Sequence, residues 1–300
     1  MAVITESGFT NSVQPGVKRV FAGALNNVPQ GSLIAPMYKM DSSDKPDEKY
    51  LEIEDMGNVP VFTGDLQYTE FREGNTKTLT HVECAMGLKI QRKLIDDDLY
   101  GVIDKMVSML GTSMRYRYES SAADPFVNAF NTTYTVFDGL SMCSTAHTFL
   151  STSTTQSNSG TSAFSYAALD AAFIASRKYK NSQDRFILDI MMDTLAGPVD
   201  LDSQFREVIE SKLKPGTANN NINAYNSKFS IMTTPFLTDT NDWFLLDSRK
   251  TKENMIWIQR IPTEFGNDGA FDNFVKKYRV YSRYSNSPIH WTHVYGNQVS

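Results

Sequence analysis

The feature that most constrains this chain is an unusually long alternation of side chains. Thr78, Thr80, Val82, Cys84, Met86, Leu88 and Ile90 occupy every second position, which is the period of a β-strand. Counted from Thr76 to Gln91, the run would extend about 50 Å, where ordinary strands have ~5–6 residues. Upstream, Leu51 and Ile53 alternate with Glu52 and Glu54, and Leu66 and Tyr68 alternate with Gln67 and Thr69. Glu73-Gly74-Asn75 reads as a turn between the last two runs. From Asp41 to Gly74 ten acidic residues face three basic ones, a net of -7 in a chain whose total is -5. A hairpin this long and polar has little apolar face of its own. It is expected to project from the body and lie on another surface, since an exposed strand edge invites a partner chain.

A long helix follows. Leu99, Val102, Ile103, Met106, Val107, Leu110 and Met114 recur at three- and four-residue spacing, which places them on one face. Asp96, Asp97 and Asp98 suit the positive end of the helix dipole, Arg115 and Arg117 fall toward the other end, and Pro125 marks an end or a kink. Helix from Asp96 to Ala123 would span roughly 42 Å, the dimension of a spine. Ahead of the hairpin, glycines and prolines punctuate the first forty residues, so an extended arm without its own helix or sheet is expected.

From Asn131 to about Phe265 the pattern is α+β. Helices are expected at Ala167–Lys180 and Leu201–Lys212, and strands at Phe186–Met192, Ser230–Thr234 and Trp243–Leu246. Surface loops are expected at Ser151–Ser162 and Asn219–Asn223. Phe274–Tyr284 reads as one more long strand.

Composition and motifs exclude several classes. The chain has 300 residues, 41% hydrophobic, enough for a core. Its 29 basic against 34 acidic residues oppose a broad phosphate-gripping surface. Cys84 and Cys143 are too few for a disulfide framework. Met1–Gly16 does not read as a signal peptide, and the stretch between Gly139 and Leu169, although free of charged residues, is too rich in Ser and Thr for a membrane span. No phosphate-loop, zinc-protease or nucleophile-elbow motif occurs. Cys143 and His147 lack the further ligands that zinc wants, and His290 and His293 point to opposite faces of a strand. Asp138, Ser144 and His147 hold the letters of a hydrolase triad, but triads are defined by geometry. No catalytic residue, metal or cofactor is expected, and an enzyme centred on His147 is the least favoured reading.

The order of parts, together with local motifs, is similar to the major capsid proteins of tailed double-stranded DNA bacteriophages, the Hong Kong 97-type fold, and within them to Mu-type head subunits. Val17–Phe21 after Pro15-Gly16 resembles the opening of those proteins. Phe137-Asp138-Gly139-Leu140, followed by His147, resembles the entry to their A-domain. The stretch from Thr234-Pro235-Phe236-Leu237 to Trp243-Phe244-Leu245 resembles their Pro-x-Leu…Trp segment. Phe186–Met192 departs from the family's Pro–Leu–Val-Pro stretch. The resemblance implies an α+β subunit with an N-terminal arm (1–39), an E-loop hairpin (40–94), a P-domain spine (95–130), an A-domain (131–264) and a returning P-domain strand with the C-terminal segment (265–300).

It also implies hexamers and pentamers of identical copies forming an icosahedral shell around DNA, without a specific DNA site. Portal, separate scaffolding and decoration proteins would be partners, the location would be a virion assembled in the host cytoplasm, and no membrane would be involved. An encapsulin-type nanocompartment shell of the same fold is the alternative. Some relatives cross-link through a lysine on the hairpin; Lys77 sits there, and reads as a solvated lysine. Charge suggests the docking contacts: Glu52, Glu54, Asp55 and Glu70 of the hairpin against Arg115, Arg117, Lys276, Lys277, Arg279 and Arg283 of a neighbour.

Overall fold

The expected extended arm is instead helical. In the computed structural model, which describes residues 6–299 apart from 57–58, 65, 67, 69–72, 98–100, 150–153, 188, 217–220 and 271–274, α1 (Glu6–Leu25) runs through Pro15 and Gly16 and is followed by the short α2 (Ile34–Met37). Next come β1 (Lys39–Ser42), β2 (Asp47–Ile53), β3 (Glu73–Thr80) and β4 (Val82–Gln91). The short α3 (Arg92–Asp96) precedes the spine, α4 (Val102–Val127). The second half contains β5 (Ser159–Gly160), α5 (Tyr166–Ser176), β6 (Thr194–Pro198), α6 (Asp202–Glu210), β7 (Ser230–Thr234), β8 (Trp243–Leu246) and α7 (Ser248–Asn254). The chain closes with β9 (Met255–Ala270), β10 (Val275–Pro288) and β11 (Val294–Asn297).

These strands build three sheets. One has the order β1-β9-β10-β4, a second the order β5-β11-β8-β6-β7, and β2 pairs with β3 alone. The first sheet packs on α4 and α1 through Tyr278, Val280, Tyr284, Trp257, Val107, Leu110, Met114 and Phe21, all in one apolar cluster. The second sheet carries a separate core in which Phe205, Leu195, Trp243, Leu245 and Leu169 are buried. Trp257 and Tyr284 stack 4.9 Å apart, and Tyr118 meets both rings edge-on. The Tyr118 hydroxyl reaches Ser282 and Thr263 Oγ atoms at 2.6 Å each, so the helix–sheet seam is polar-satisfied as well as apolar.

Several expectations are corrected here. The sixteen-residue strand is two strands, because at His81 the chain exchanges β2 as partner for β10: Thr80 lies opposite Asp47, and Val82 opposite Tyr284. An alternating pattern reports which face a side chain takes and is blind to which strand lies beside it. Glu73-Gly74-Asn75 is the start of β3, with Glu73 opposite Ile53, and not a turn. The spine begins at Val102 behind Gly101, whose φ is 66°, so the Asp96–Asp98 run does not occupy its first turn; Asp98 and Leu99 lie outside the described residues. Pro125 neither ends nor breaks α4. The carbonyl it leaves unbonded, that of Ser121, accepts from Asn286 Nδ2 at 2.6 Å, so a side chain of β10 replaces the missing backbone donor.

The arm is helical because Val17 and Phe21, one turn apart, find an apolar seat on α4, and tertiary burial overrides weak local propensity. Among its described residues Phe186–Met192 forms no strand beyond an isolated bridge of Phe186 to Lys180; its neighbour Thr194–Pro198 is one, fully buried and paired on both sides. The Ser151–Ser162 segment is not merely a surface loop, since Asn158 is fully buried and donates to the Met142, Trp291 and Val294 carbonyls. The 264/265 boundary falls inside β9, and β11 returns to the second sheet.

The α1–α4 crossing depends on Gly111. A Cβ there would come within 2.8 Å of the Phe21 carbonyl and 3.0 Å of Ala24 Cβ. Gly111→Leu is therefore expected to pry α1 from the spine at a cost of about 1–3 kcal/mol. Hydrogen exchange should then show faster exchange in 17–25 than in the unaltered chain, with the second sheet unchanged.

Candidate assembly interface

The β2–β3 stem leaves the body at a neck built from the hairpin's own residues. Leu79 is buried with Ile256 and Ile258. Lys77, expected to be solvated, is instead half-buried and donates its ammonium to the Thr135 carbonyl and, at 2.6 Å, to that of Pro288. Burial without a carboxylate pushes its pKa down to about 8. His81 is buried at the point of partner exchange, with Nδ1 3.0 Å from Ser285 Oγ. Burial and the nearby Arg283 and Arg260 hold its pKa below the ordinary value.

Above the neck, Glu52 and Glu54 have side-chain partners in their own chain, and Asp55 is held through its backbone. Glu52 accepts from the Asn75 side chain at 3.3 Å, and burial raises its pKa. Glu54 accepts from Gln183 Nε2 at 2.9 Å, and the Asp55 amide donates to Ser182 Oγ at 3.1 Å. Arg185 donates to the Met56 carbonyl. Below these contacts an open cleft of about 910 Å³, lined among others by Leu51, Phe137, Phe149 and Phe186, separates stem from body. Glu70 lies outside the described residues. Beyond the stem, apolar residues among those described are uncovered: Val59 is 96% and Tyr68 89% exposed, and Val61, Phe62 and Leu66 are similarly open.

The basic candidates divide into two groups. Arg115 is ion-paired with Glu119 and donates to Ser32 Oγ, and Glu119 is 1% exposed, so this cation belongs to the interior seam of α4. Arg117 lies beside Cys84 and Tyr284. Arg283 is 3.8 Å from Glu83 on the neighbouring strand. Lys277 and Arg279 are open to solvent to differing degrees, whereas Tyr278, Val280 and Tyr284 of the same strand are buried toward α4. Strand alternation puts Lys277 and Arg279 on the sheet face away from α4, and Lys276 on the other. Sequence reasoning missed the apolar hairpin end, although Val59, Val61 and Phe62 were a visible signal beside the acids.

The letters of the triad come together only in part. Asp138 Oδ2 is 2.6 Å from His147 Nδ1, and the imidazole stacks on Trp291 at 4.6 Å. His147 is fully buried, and Ser144 Oγ accepts from the Ala146 amide instead. Although burial opposes ionisation, the His147 hydrogen bond and charge hold the Asp138 carboxyl below its ordinary pKa. The arrangement ties the 138–147 loop to the second core. Among the described residues no group of three or more His, Cys, Asp or Glu is placed to hold a metal ion, and no helix is long and apolar enough to cross a membrane.

Residues 77–297 match the model of a family described as phage capsid protein. The chain belongs to the phage capsid protein family. Among solved structures it is similar to the procapsid of bacteriophage JBD30, with a TM-score of 0.57 and 13% identity over 99% of this chain and 77% of that one. It is also similar to the capsid of a native GTA particle (TM-score 0.59, 9% identity, 91% of each chain). A chain of Mycobacterium phage Adephagia gives a TM-score of 0.54 at 12% identity over 92% of each chain. No curated protein sequence matches. The α+β architecture is thus that of the phage capsid fold, and the chain is a capsid shell protein of the virion.

The buried histidines of this capsid protein predict an acid response. His293 is fully buried and its ring nitrogens have no hydrogen-bond partner among the described residues. Burial pushes its pKa down to about 3, and burial together with His147 pushes His290 down to about 4. An unfolded histidine takes up a proton near pH ~6.5, so stability is whole above that pH and is lost as the pH falls toward these values. For His293 alone the loss between pH 7 and 5 is about 2 kcal/mol. Chemical denaturation of the unassembled chain at the two pH values should show that drop, and His293→Phe should shrink it.

Proposed function

We propose that this chain is the major subunit of an icosahedral head shell, assembled in the host cytoplasm from hexamers and pentamers around the double-stranded DNA of a tailed phage. The match of residues 77–297 to the phage capsid family carries the reading, and likeness to the JBD30 procapsid along 99% of the chain supports it. Because the similar structures are phage and GTA capsids, the encapsulin-type nanocompartment is not favoured. A JBD30 capsid is decorated with minor capsid protein trimers, which supports a decoration protein as a partner here, beside portal and scaffolding proteins. The subunit works by assembling rather than by catalysis. With a net charge of -5, it confines DNA by a closed wall and not by many phosphate contacts, which would make the shell strongly salt-sensitive.

In this reading the hairpin of one copy lies on the next. Its acids, Glu52, Glu54, Asp55 and Glu70, steer it toward basic residues of the neighbour, with Lys277 and Arg279 foremost because they are exposed on the sheet face away from α4. Charges at a contact rim govern encounter rate and register more than affinity. Negative-stain microscopy of purified protein should show rings or closed shells, and nucleic acid extracted from particles made during infection should be the phage genome. Glu52→Lys/Glu54→Lys should slow assembly about tenfold at low salt, the gap narrowing as salt rises. Assembly at the unaltered rate in light scattering would remove the steering role.

A further inference from the structure

Strand β4 is the outer member of the sheet β1-β9-β10-β4. All ten of its residues pair with β10, and among the described residues no strand pairs with its other edge. In an antiparallel strand every second residue turns its N–H and C=O away from the partner, so about five residues hold both groups outward. Edge strands are commonly blunted by shortness, proline or a bulge. This one has ten residues against an ordinary ~5–6, contains no proline, and follows β10 without a register shift.

The two faces of the strand differ. Val82, Met86 and Leu88 lie opposite Tyr284, Val280 and Tyr278, on the α4 side of the sheet, with Cys84 in the same row. Coverage gives out toward the edge: Val82 is 51% and Met86 55% exposed, although their partners on β10 are buried. On the other face stand Glu83, Ala85, Gly87 and Lys89, with the strand's two charges at the ends of the row. Glu83 lies opposite Arg283, but Lys89 lies opposite Lys277, a like-charge pair that costs stability.

This edge is complementary to itself. Glu83 and Lys89 stand three residues on either side of Met86. A second β4, turned end for end about Met86, sets Glu83 opposite Lys89 at both ends of the contact. Ala85 then faces Gly87, Cys84 faces Leu88, and Met86 faces its own twin. Each Lys89 gains the acid that β10 does not supply, and the two apolar rows join on the α4 side. A slide of two residues sets the charges opposite Gly87 and His81, or opposite Gln91 and Ala85. A slide of one turns the second sheet over, apolar row against polar. One register satisfies both rows.

We infer that the outer edge of β4 is a two-fold joint, at which two copies of this chain continue one antiparallel sheet. About eight to ten backbone hydrogen bonds hold it, and the two Glu83–Lys89 pairs fix its register. Both copies give the same patch, whereas successive members of a ring meet through unlike patches. Resting on the shell reading above, the joint therefore ties a copy in one ring to a copy in the next.

Disulfide trapping tests this, because opposed residues have Cα atoms ~4.5–5.5 Å apart, within reach of a disulfide. Met86→Cys particles treated with a mild oxidant should run as linked dimers on a non-reducing gel. So should Ala85→Cys/Gly87→Cys, since a Cβ at Gly87 meets only the Tyr278 carbonyl at 3.5 Å. Ala85→Cys alone, Gly87→Cys alone and the unaltered chain, with its Cys84 and Cys143, should stay largely monomeric. Glu83→Lys or Lys89→Glu in the Met86→Cys background should each slow linking about tenfold at low salt, and the two together should restore it, with circular dichroism confirming an intact fold. Absence of both dimers, equal linking in the single and paired variants at 85 and 87, or a rate untouched by either charge reversal would overturn the joint and leave the shell reading intact. If the unaltered chain formed no particles under any condition, the shell reading would fall, and the same cross-links in the concentrated unassembled chain would decide the joint.

Discussion

Strand β10 is the member on which the rest of the structure depends. It pairs with β9 on one side and β4 on the other. Its inward side chains form the seam with α4, and its Asn286 supplies the donor that lets α4 continue through Pro125. It also supplies the Pro288 carbonyl that receives Lys77 at the hairpin neck. The spine, the central sheet and the neck therefore share one strand. A change that displaced β10 would be felt in all three at once, because close-packed interiors transmit a shift rather than absorb it.

How much of this was legible in the sequence depended on whether a signal was local. The spine helix was legible because Val107, Leu110 and Met114 mark one face at helical spacing, and those residues are buried. Trp243–Leu246 and Ser230–Thr234 were legible as strands for the same reason, short β-rich runs between turns. The helical arm was not, since Pro15 and Gly16 argue locally against it and only the seat offered by α4 decides the matter. Strand β9 was missed: it starts directly after α7 and its first residues, Met255–Ile258, are buried on both faces, leaving no alternation to read. The break at His81 was invisible because both β3 and β4 keep the same two-residue period.

The candidate interface was legible in its charges and obscure in its energetics. Counting acids and bases found the contrast between the 41–74 segment and the rest of the chain, but sequence cannot tell a cation that is spoken for from one that is open. Arg115 and Arg279 read alike. One is ion-paired to a fully interior Glu119, where a lone charge would carry a large desolvation cost; the other lies across Gly266 at the surface. What separates them is the side of the sheet on which each falls, and that follows from the packing of α4.

The neck's own residues hold the hairpin without an ion pair. Lys77 and His81 hold the stem, yet among the described residues neither is held by a carboxylate: the ammonium meets two carbonyls and the imidazole one hydroxyl. Burial depresses both pKa values, so the neck keeps its groups at a desolvation cost that a good ion pair would have offset. The stem's remaining contacts to the body, through Glu54, Asp55 and Met56, are polar and near solvent, where each hydrogen bond contributes about 1 kcal/mol. The apolar end gains nothing from this arrangement, since it stays exposed. Any surface that covered the end while preserving the neck would compete only against these weak stem contacts.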